Sequence, residues 1–291
     1  MIYLVTHGTR YSYETSVAHS FSEARLAPRS TGSQTLHRTK LEIQPEPASF
    51  EQRVDYFGNQ VACMSVFRAH SEFSLTATSV VEVLPSTAAT AQSLPWEQVA
   101  ARMRAPVSEG DIRASEFLHD SPYISVDPRL AAFARDCFPP QRSLREAAVD
   151  LCAKIHREFR YQPMSTSIDT PVIDVLRNRA GVCQDFAHLM IGTLRSLGLP
   201  ARYVSGYLRS GVKYQGAEAS HAWLAVYTPG EGWLDLDPTN NVIPSEGHVT
   251  LAWGRDYADV PPVKGVALGG GTQTVEVEVR VQPLERNPAD S

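Results

Sequence analysis

The texture of this chain changes at Pro85, and that change constrains the fold more than any other feature. Before it, the runs IYLVTHGTRYSYE, HSFSEARLAP, TKLEIQPEP, RVDYFGNQVACMSVFRAH and EFSLTATSVVEVLP are rich in Val, Thr, Tyr and Phe. Pro and Gly punctuate them, and Phe57-Gly58-Asn59 is a turn signal inside the fourth run. Short strands separated by turn residues predict an antiparallel sheet or a sandwich over residues 1–85.

After Pro85, TAATAQSLP is small and polar and reads as a linker. Residues 96–103 and 128–135 have helical composition. From Ser143 to Phe159 the periodicity becomes clear: Leu144, Ala147, Ala148, Leu151, Ile155 and Phe159 form one stripe, and Ser143 with Glu146 fits a capping box. A short helix is expected after Thr170, with Pro171 in its first turn. Another should run from Cys183 to Leu197, with Phe186, Met190, Leu194 and Leu197 on one face and Gly198 and Pro200 ending it. Strands return in ARYVSGYL, HAWLAVYT, GWLDLDP and TVEVEVRVQP. Helices followed by strands predict an α+β fold rather than alternating α/β. The expected divisions are a β-rich domain at 1–85, a helical linker region at 86–140, and a core at 141–291 that includes the C-terminal strand.

The totals exclude several classes. The chain has 291 residues, 32 acidic and 27 basic, for a net charge of −5 and no Lys/Arg cluster. A nucleic-acid groove needs a basic stripe, so no such partner is expected. No window of 18 apolar residues exists and MIYLVTHGTRYSYE lacks the basic start of a secretory leader, so the expectation is no membrane span and a cytoplasmic location. The four cysteines, Cys63, Cys137, Cys152 and Cys183, form no CxxC pair. Neither a zinc ribbon nor a disulfide scaffold follows from them.

Cys183 stands out because GVCQDFAH places it where a loop becomes a helix. A helix N-terminus presents unpaired N–H groups and the positive end of the dipole, which stabilise a thiolate and can hold an oxyanion. Gly181 has no Cβ to keep a substrate away from the backbone. For an isolated cysteine, burial as a structural thiol is the ordinary role. Two later segments shift the balance. In SHAWLAVYT, His221 begins a strand on the face opposite Ala222, Leu224 and Val226. In GWLDLDPTN, Pro238 leaves Asp237 at a strand tip, where an aspartate also commonly caps a turn. The short return from Thr228 to Gly232 predicts a hairpin that brings His221 and Asp237 within reach. A thiol, an imidazole and a carboxylate then supply nucleophile, base and orienting acid.

GVCQDFAHLMIGTLRSLGLPARYVSGYL, SHAWLAVY and GWLDLDPTN, in that order, resemble the transglutaminase-like superfamily of papain-related cysteine enzymes. The resemblance covers about residues 145 to 262. WGRDYADVPPVKGV resembles the bacterial branch, and the first 85 residues, with RLAPR and DYFGN, resemble its N-terminal β-rich domain. The resemblance implies a papain-like core in which the helix bearing the cysteine packs on an antiparallel sheet. It further implies that Cys183 is the nucleophile, His221 the base and Asp237 the orienting acid. The Cys183 N–H is the first oxyanion donor expected, with REFRYQPMST a candidate source of a second.

Other residues compete for roles. Asp185 is expected to cap the helix, and His188, five residues from Cys183, to lie off its face. Asp235 could substitute for Asp237; Trp223 and Trp233 are expected in the core or cleft wall, and Asp256 and Tyr257 could line the cleft. Cys183, His188, His221 and Asp237 match no standard zinc spacing, so neither metal nor cofactor is expected. The triad would attack an acyl carbon and form a thioester. Water as acceptor makes the enzyme a peptidase or amidase acting on a peptide or protein, which is the expected activity. An amine acceptor makes it a crosslinking transglutaminase, and an idle triad would leave a peptide-binding module.

Overall fold

In the computed structural model, residues 1–85, 93–211, 214–216 and 219–284 are described. Most of the linker TAATAQSLP lies outside them. The N-terminal strands are β1 (Ile2–Ala24), β2 (Gln34–Gln44), β3 (Ser49–Val54), β4 (Gln60–Val66) and β5 (His70–Val83). They pair antiparallel in the order β2-β5-β1-β4-β3. The two runs predicted as separate strands join into β1, because no Pro or Gly separates Tyr13 from His19. An irregularity of pairing between Ser12 and Val17 takes the place of the expected break. Tyr3 and Val5 from the first half of β1 share one apolar core with Ala24, Ala62 and Met64 from its second half and from β4. The sheet therefore wraps its own core, as a sandwich does.

The helices are α1 (Trp96–Met103), α2 (Glu109–Ser115), α3 (Pro128–Ala134) and α4 (Leu144–Glu158). Residues 96–138 are more than a spacer: Val99, Met103, Ile124, Leu130 and Phe138 are buried in the same core as α4. α2 escapes the periodicity because its seven residues, EGDIRAS, carry so few apolar side chains. It is held instead by polar bonds: Ser108 caps it by accepting from Asp111 N–H, and the buried Asp111 carboxylate accepts from Arg102 at 2.8 Å. α4 begins as expected, with Ser143 Oγ accepting from Glu146 N–H at 3.3 Å, and buries Leu144, Ala147, Ala148, Leu151 and Ile155.

Beyond α4 come β6 (Arg160–Tyr161), α5 (Val172–Asn178), β7 (Ala180–Gly181) and α6 (Cys183–Ser196). Pro171 is the N-cap of α5 rather than a first-turn residue. Gly198, at φ +76°, ends α6 and lets Leu199 N–H reach back to Leu194 O at 3.0 Å. The second sheet comprises β8 (Ala201–Leu208), β9 (His221–Thr228), β10 (Gly232–Leu236) and β11 (His248–Gly254), in the order β10-β9-β8-β11, all antiparallel. Its Ala222, Leu224 and Val226 pack with Phe186, Leu189, Met190 and Leu194 of α6. Burying each of these large aliphatic side chains contributes about 1.5–3 kcal/mol, enough to fix helix against sheet at the site.

The chain ends with β12 (Val263–Gly269) and β13 (Gln273–Pro283). The sequence places the C-terminal strand with the core of residues 141–291, but both β12 and β13 pair antiparallel with β1. β13 lies along Tyr3–Tyr13 and β12 along Val17–Ala24. Strand composition alone carries no information about which sheet a strand joins, and here the free edges of β1 are the ones it satisfies.

Candidate active site

Cys183 is the first residue of α6 and is partly exposed. The turn before it is held from inside the helix. Asp185 reaches back to accept from Val182 N–H at 2.7 Å and also accepts from the Thr166 hydroxyl at 2.6 Å. Burial pushes the Asp185 carboxyl up, against these two bonds. Gly181 also serves this cap. A Cβ there would sit 2.7 Å from Asp185 Oδ2 and 2.8 Å from Asp185 Cβ, so the glycine makes room for the cap. The REFRYQPMST stretch lies beside the nucleophile turn: β6 runs parallel to β7, and Gln162 N–H donates to Gly181 O at 2.8 Å.

The other two groups come from one end of the second sheet. β9 and β10 form the expected hairpin, with Gly232 opposite Thr228 and Leu236 opposite Leu224. The start of β9 therefore meets the residue just beyond the end of β10. His221 Nε2 is 2.9 Å from Asp237 Oδ2, and both side chains are fully buried. Asp237 is anchored by its own turn. Its Oδ1 accepts from Thr239 N–H at 2.9 Å and Asn240 N–H at 3.2 Å, and its Oδ2 accepts from Asn240 Nδ2 at 2.8 Å. The DPTN step is thus a device for orienting the carboxylate.

With Nε2 committed to Asp237, Nδ1 is the ring nitrogen left for chemistry, and it has no hydrogen-bond partner among the described residues. Burial would lower the His221 pKa. The hydrogen bond to Asp237 and the influence of the nearby Cys183 sulfur outweigh it and push the imidazole up to about 10. Burial works equally against the Asp237 carboxylate, but His221 and His248 hold it well below the usual carboxylate range. The arrangement favours an ionised acid beside a protonated imidazole on the side of the Cys183 sulfur.

His248 and Asn240 are the residues the sequence analysis missed. His248 Nε2 lies 3.2 Å from the same Asp237 Oδ2 that His221 meets. β9 and β11 each run antiparallel to β8, so they start at the same end of the sheet, where β10 also ends. The available signal was a second histidine opening a strand: GHVTL repeats the arrangement of SHAWL.

The competing residues lie elsewhere. His188 is buried between Tyr123 and Tyr203 and accepts from Tyr257 N–H at 3.2 Å; burial, helped by Arg195, pushes its pKa down to about 3. Asp256 accepts from Tyr123 N–H at 2.7 Å and Ala258 N–H at 2.9 Å, a turn-holding role. Asp235 sits opposite Ala225 rather than beside His221. Trp223 is completely buried.

This geometry can be set against known proteins. A family model described as the transglutaminase-like superfamily matches residues 131–238, and one for the bacterial transglutaminase-like N-terminal region matches residues 3–82. An uncharacterized protein of Mycobacterium tuberculosis is 37% identical over 297 residues, covering 97% of this chain and 93% of its own length. This chain belongs to the transglutaminase-like superfamily. The transglutaminase-like fold is shared along the whole chain with a candidate cysteine protease from Cytophaga hutchinsonii, at a TM-score of 0.76 and 23% identity, covering 99% of this chain and 93% of that one. A protein-glutamine gamma-glutamyltransferase of Pseudomonas aeruginosa is 33% identical over 134 residues, which is 40% of this chain and 19% of that protein. The superfamily match stops at Pro238, just after Asp237, and leaves His248 outside it.

Proposed function

We propose that this protein is a cysteine-dependent acyl-transfer enzyme that hydrolyses an amide bond in a peptide or peptide-like substrate. The observation that supports it most directly is the buried 2.9 Å contact of His221 with Asp237, on an imidazole whose pKa Cys183, at a helix N-terminus, also helps to raise.

In this reading the Cys183 thiolate attacks the acyl carbon and the oxyanion forms near the α6 N-terminus. His221, protonated by the thiol, returns that proton to the departing amine, leaving a thioester on Cys183. Water then attacks, gives a proton to His221 and releases the carboxylic acid. Asp237 keeps Nδ1 aimed at the sulfur and stabilises the imidazolium throughout. Hydrolysis asks least of the site, since Cys183 is partly exposed and water needs no acceptor pocket. A reducing compartment such as the cytoplasm, which keeps this thiol free, is part of the same proposal.

The local identity to the Pseudomonas aeruginosa protein-glutamine gamma-glutamyltransferase favours a second reading, transfer to an amine. Incubation with a peptide mixture, with and without a labelled amine, separates the two. New termini or released ammonia without label support hydrolysis. Amine incorporation that outpaces hydrolysis replaces it with transamidation, and neither product with intact protein leaves a binding module.

A further inference from the structure

The face of the second sheet turned away from α6 has its own cavity, of about 700 Å³. Its walls include Arg202, Trp223, Trp233, Asp235, His248 and Trp253, and Gly32, Ser33 and Leu84 of the β-rich region close over it. The volume falls in the range of about 300–1,000 Å³ that suits a small molecule. Neither Cys183 nor His221 lines it, so it is separate from the thiol side of the triad.

Arg202 is the anomaly. Its guanidinium carbon is 4.3 Å from the Trp233 ring centroid and 3.8 Å from that of Trp253. Arg29 takes a face of Trp253 as well, at 3.5 Å, so the two cations flank that indole. Arg29 also donates through Nη1 to Phe57 O and Asn59 Oδ1, although its Nε, like that of Arg202, has no hydrogen-bond partner among the described residues. Asp235 is its neighbour across Ala225 but closes no ion pair with it. Burial lowers the Arg202 pKa to about 9, with Asp235 opposing. A buried Nε–H without an acceptor is costly, and stacking occupies the guanidinium faces while leaving its outer N–H donors available. Trp223, completely buried on the same wall, has an Nε1–H that also closes no hydrogen bond, although it is directed at Asp235.

We propose that this cavity binds a small organic monocarboxylate with an apolar body, the carboxylate on the edge of Arg202 and the body against the partly exposed edges of the indoles of Trp233 and Trp253. The acids on the wall, Asp235 and Glu231, disfavour a dianion and so favour a carboxylate over a phosphate. His248 is a wall of this cavity and also touches the catalytic-acid candidate, with its Nδ1 unpartnered, so an occupant sits one side chain away from Asp237.

The indoles make tryptophan fluorescence the natural readout on the full chain. N-acetylleucine represents a peptide terminus, hexanoate a free acid, N-acetylleucinamide the same body without charge, and inorganic phosphate a different anion. The proposal expects a saturable change with N-acetylleucine or hexanoate, the tighter of the two identifying the source. It also expects at least tenfold weaker binding of the amide and of phosphate. Arg202→Gln should weaken the carboxylate at least tenfold. Gly32→Glu, at an exposed position where a Cβ meets nothing within 4 Å, should weaken it several-fold by placing a like charge at the mouth. That second variant decides the matter if Arg202→Gln does not fold. No saturable change with either carboxylate, equal binding of the amide or of phosphate, or unaltered affinity in Gly32→Glu and every folded Arg202 variant would overturn the proposal.

Discussion

His248 Nε2 stands 3.2 Å from Asp237 Oδ2, the oxygen that also receives His221 at 2.9 Å. One carboxylate oxygen thus serves two imidazoles, and Asn240 Nδ2 reaches it as well at 2.8 Å. In the proposed mechanism His248 would hold the acid still while His221 cycles its proton. His248→Gln should lower kcat about tenfold, or about 1.4 kcal/mol of barrier, with KM little changed. Steady-state kinetics on a cleavable amide checks this; wild-type kcat in a folded variant would make His248 a packing residue only.

The carboxylates can be told apart by isosteric change. Asp237→Asn removes the charge that stabilises the imidazolium and presents a donor or acceptor in the wrong place, so turnover should fall by a factor of about 10³–10⁴. Asp235→Asn, opposite Ala225, should retain most activity. The reverse ranking would reassign the orienting acid.

Thiol reactivity should be selective. Burial pushes the Cys137 and Cys152 thiols up, and both are enclosed. Iodoacetamide at pH 7 should modify Cys183 well before these two, read by peptide mass spectrometry, and His221→Ala should slow that labelling at least tenfold. Cys183→Ala should abolish turnover without changing the circular dichroism spectrum. Uniform labelling of the cysteines would argue against an activated nucleophile.

Gly216 packs directly over the base. At φ +84°, a Cβ there would lie 2.9 Å from His221 Nδ1. Gly216→Ala should therefore reduce kcat by displacing the imidazole. It should also cost about 1–2 kcal/mol for the left-handed backbone. Thermal melting and turnover measured together test both effects; unchanged activity would mean that the turn yields without moving the ring.

The sign of the pH dependence follows from the raised pKa of His221. From an ordinary value of 6.5 it is pushed up to about 10, so the folded state binds this proton more tightly than the unfolded one. Its stabilising contribution is complete below pH 6.5 and disappears as pH rises through about 10. His221→Gln should flatten the loss of stability across that interval in denaturant titrations. A steeper loss in the variant would contradict the direction.

Sequence periodicity located α4, α6 and the β9–β10 hairpin because each buries a regular apolar face. Cys183, His221 and Asp237 were legible for a related reason: each sits at the end of an element whose boundary is written in Gly, Pro or a polar turn. His248 was not legible, since its partner is set by which strands share a sheet end, and that is a property of pairing order. The reason for Gly181 was hidden likewise, because a cap that folds back over its own turn is visible only in three dimensions. The β-rich region was recognised by composition, yet β13 was placed with the core and β12 was not read as a strand at all. A strand's identity is local, and its partner is decided by long-range contacts.

That long-range closure has a consequence for biosynthesis. Tyr3 lies opposite Pro283, so β1 is synthesised long before the strand that it pairs with in β13. The intervening segment that carries Cys183, His221 and Asp237 can collapse on its own helices and sheet while β1 still exposes an unpaired edge. Nascent chains are most prone to intermolecular strand pairing in that interval, and β13 acts as a seal that ends it.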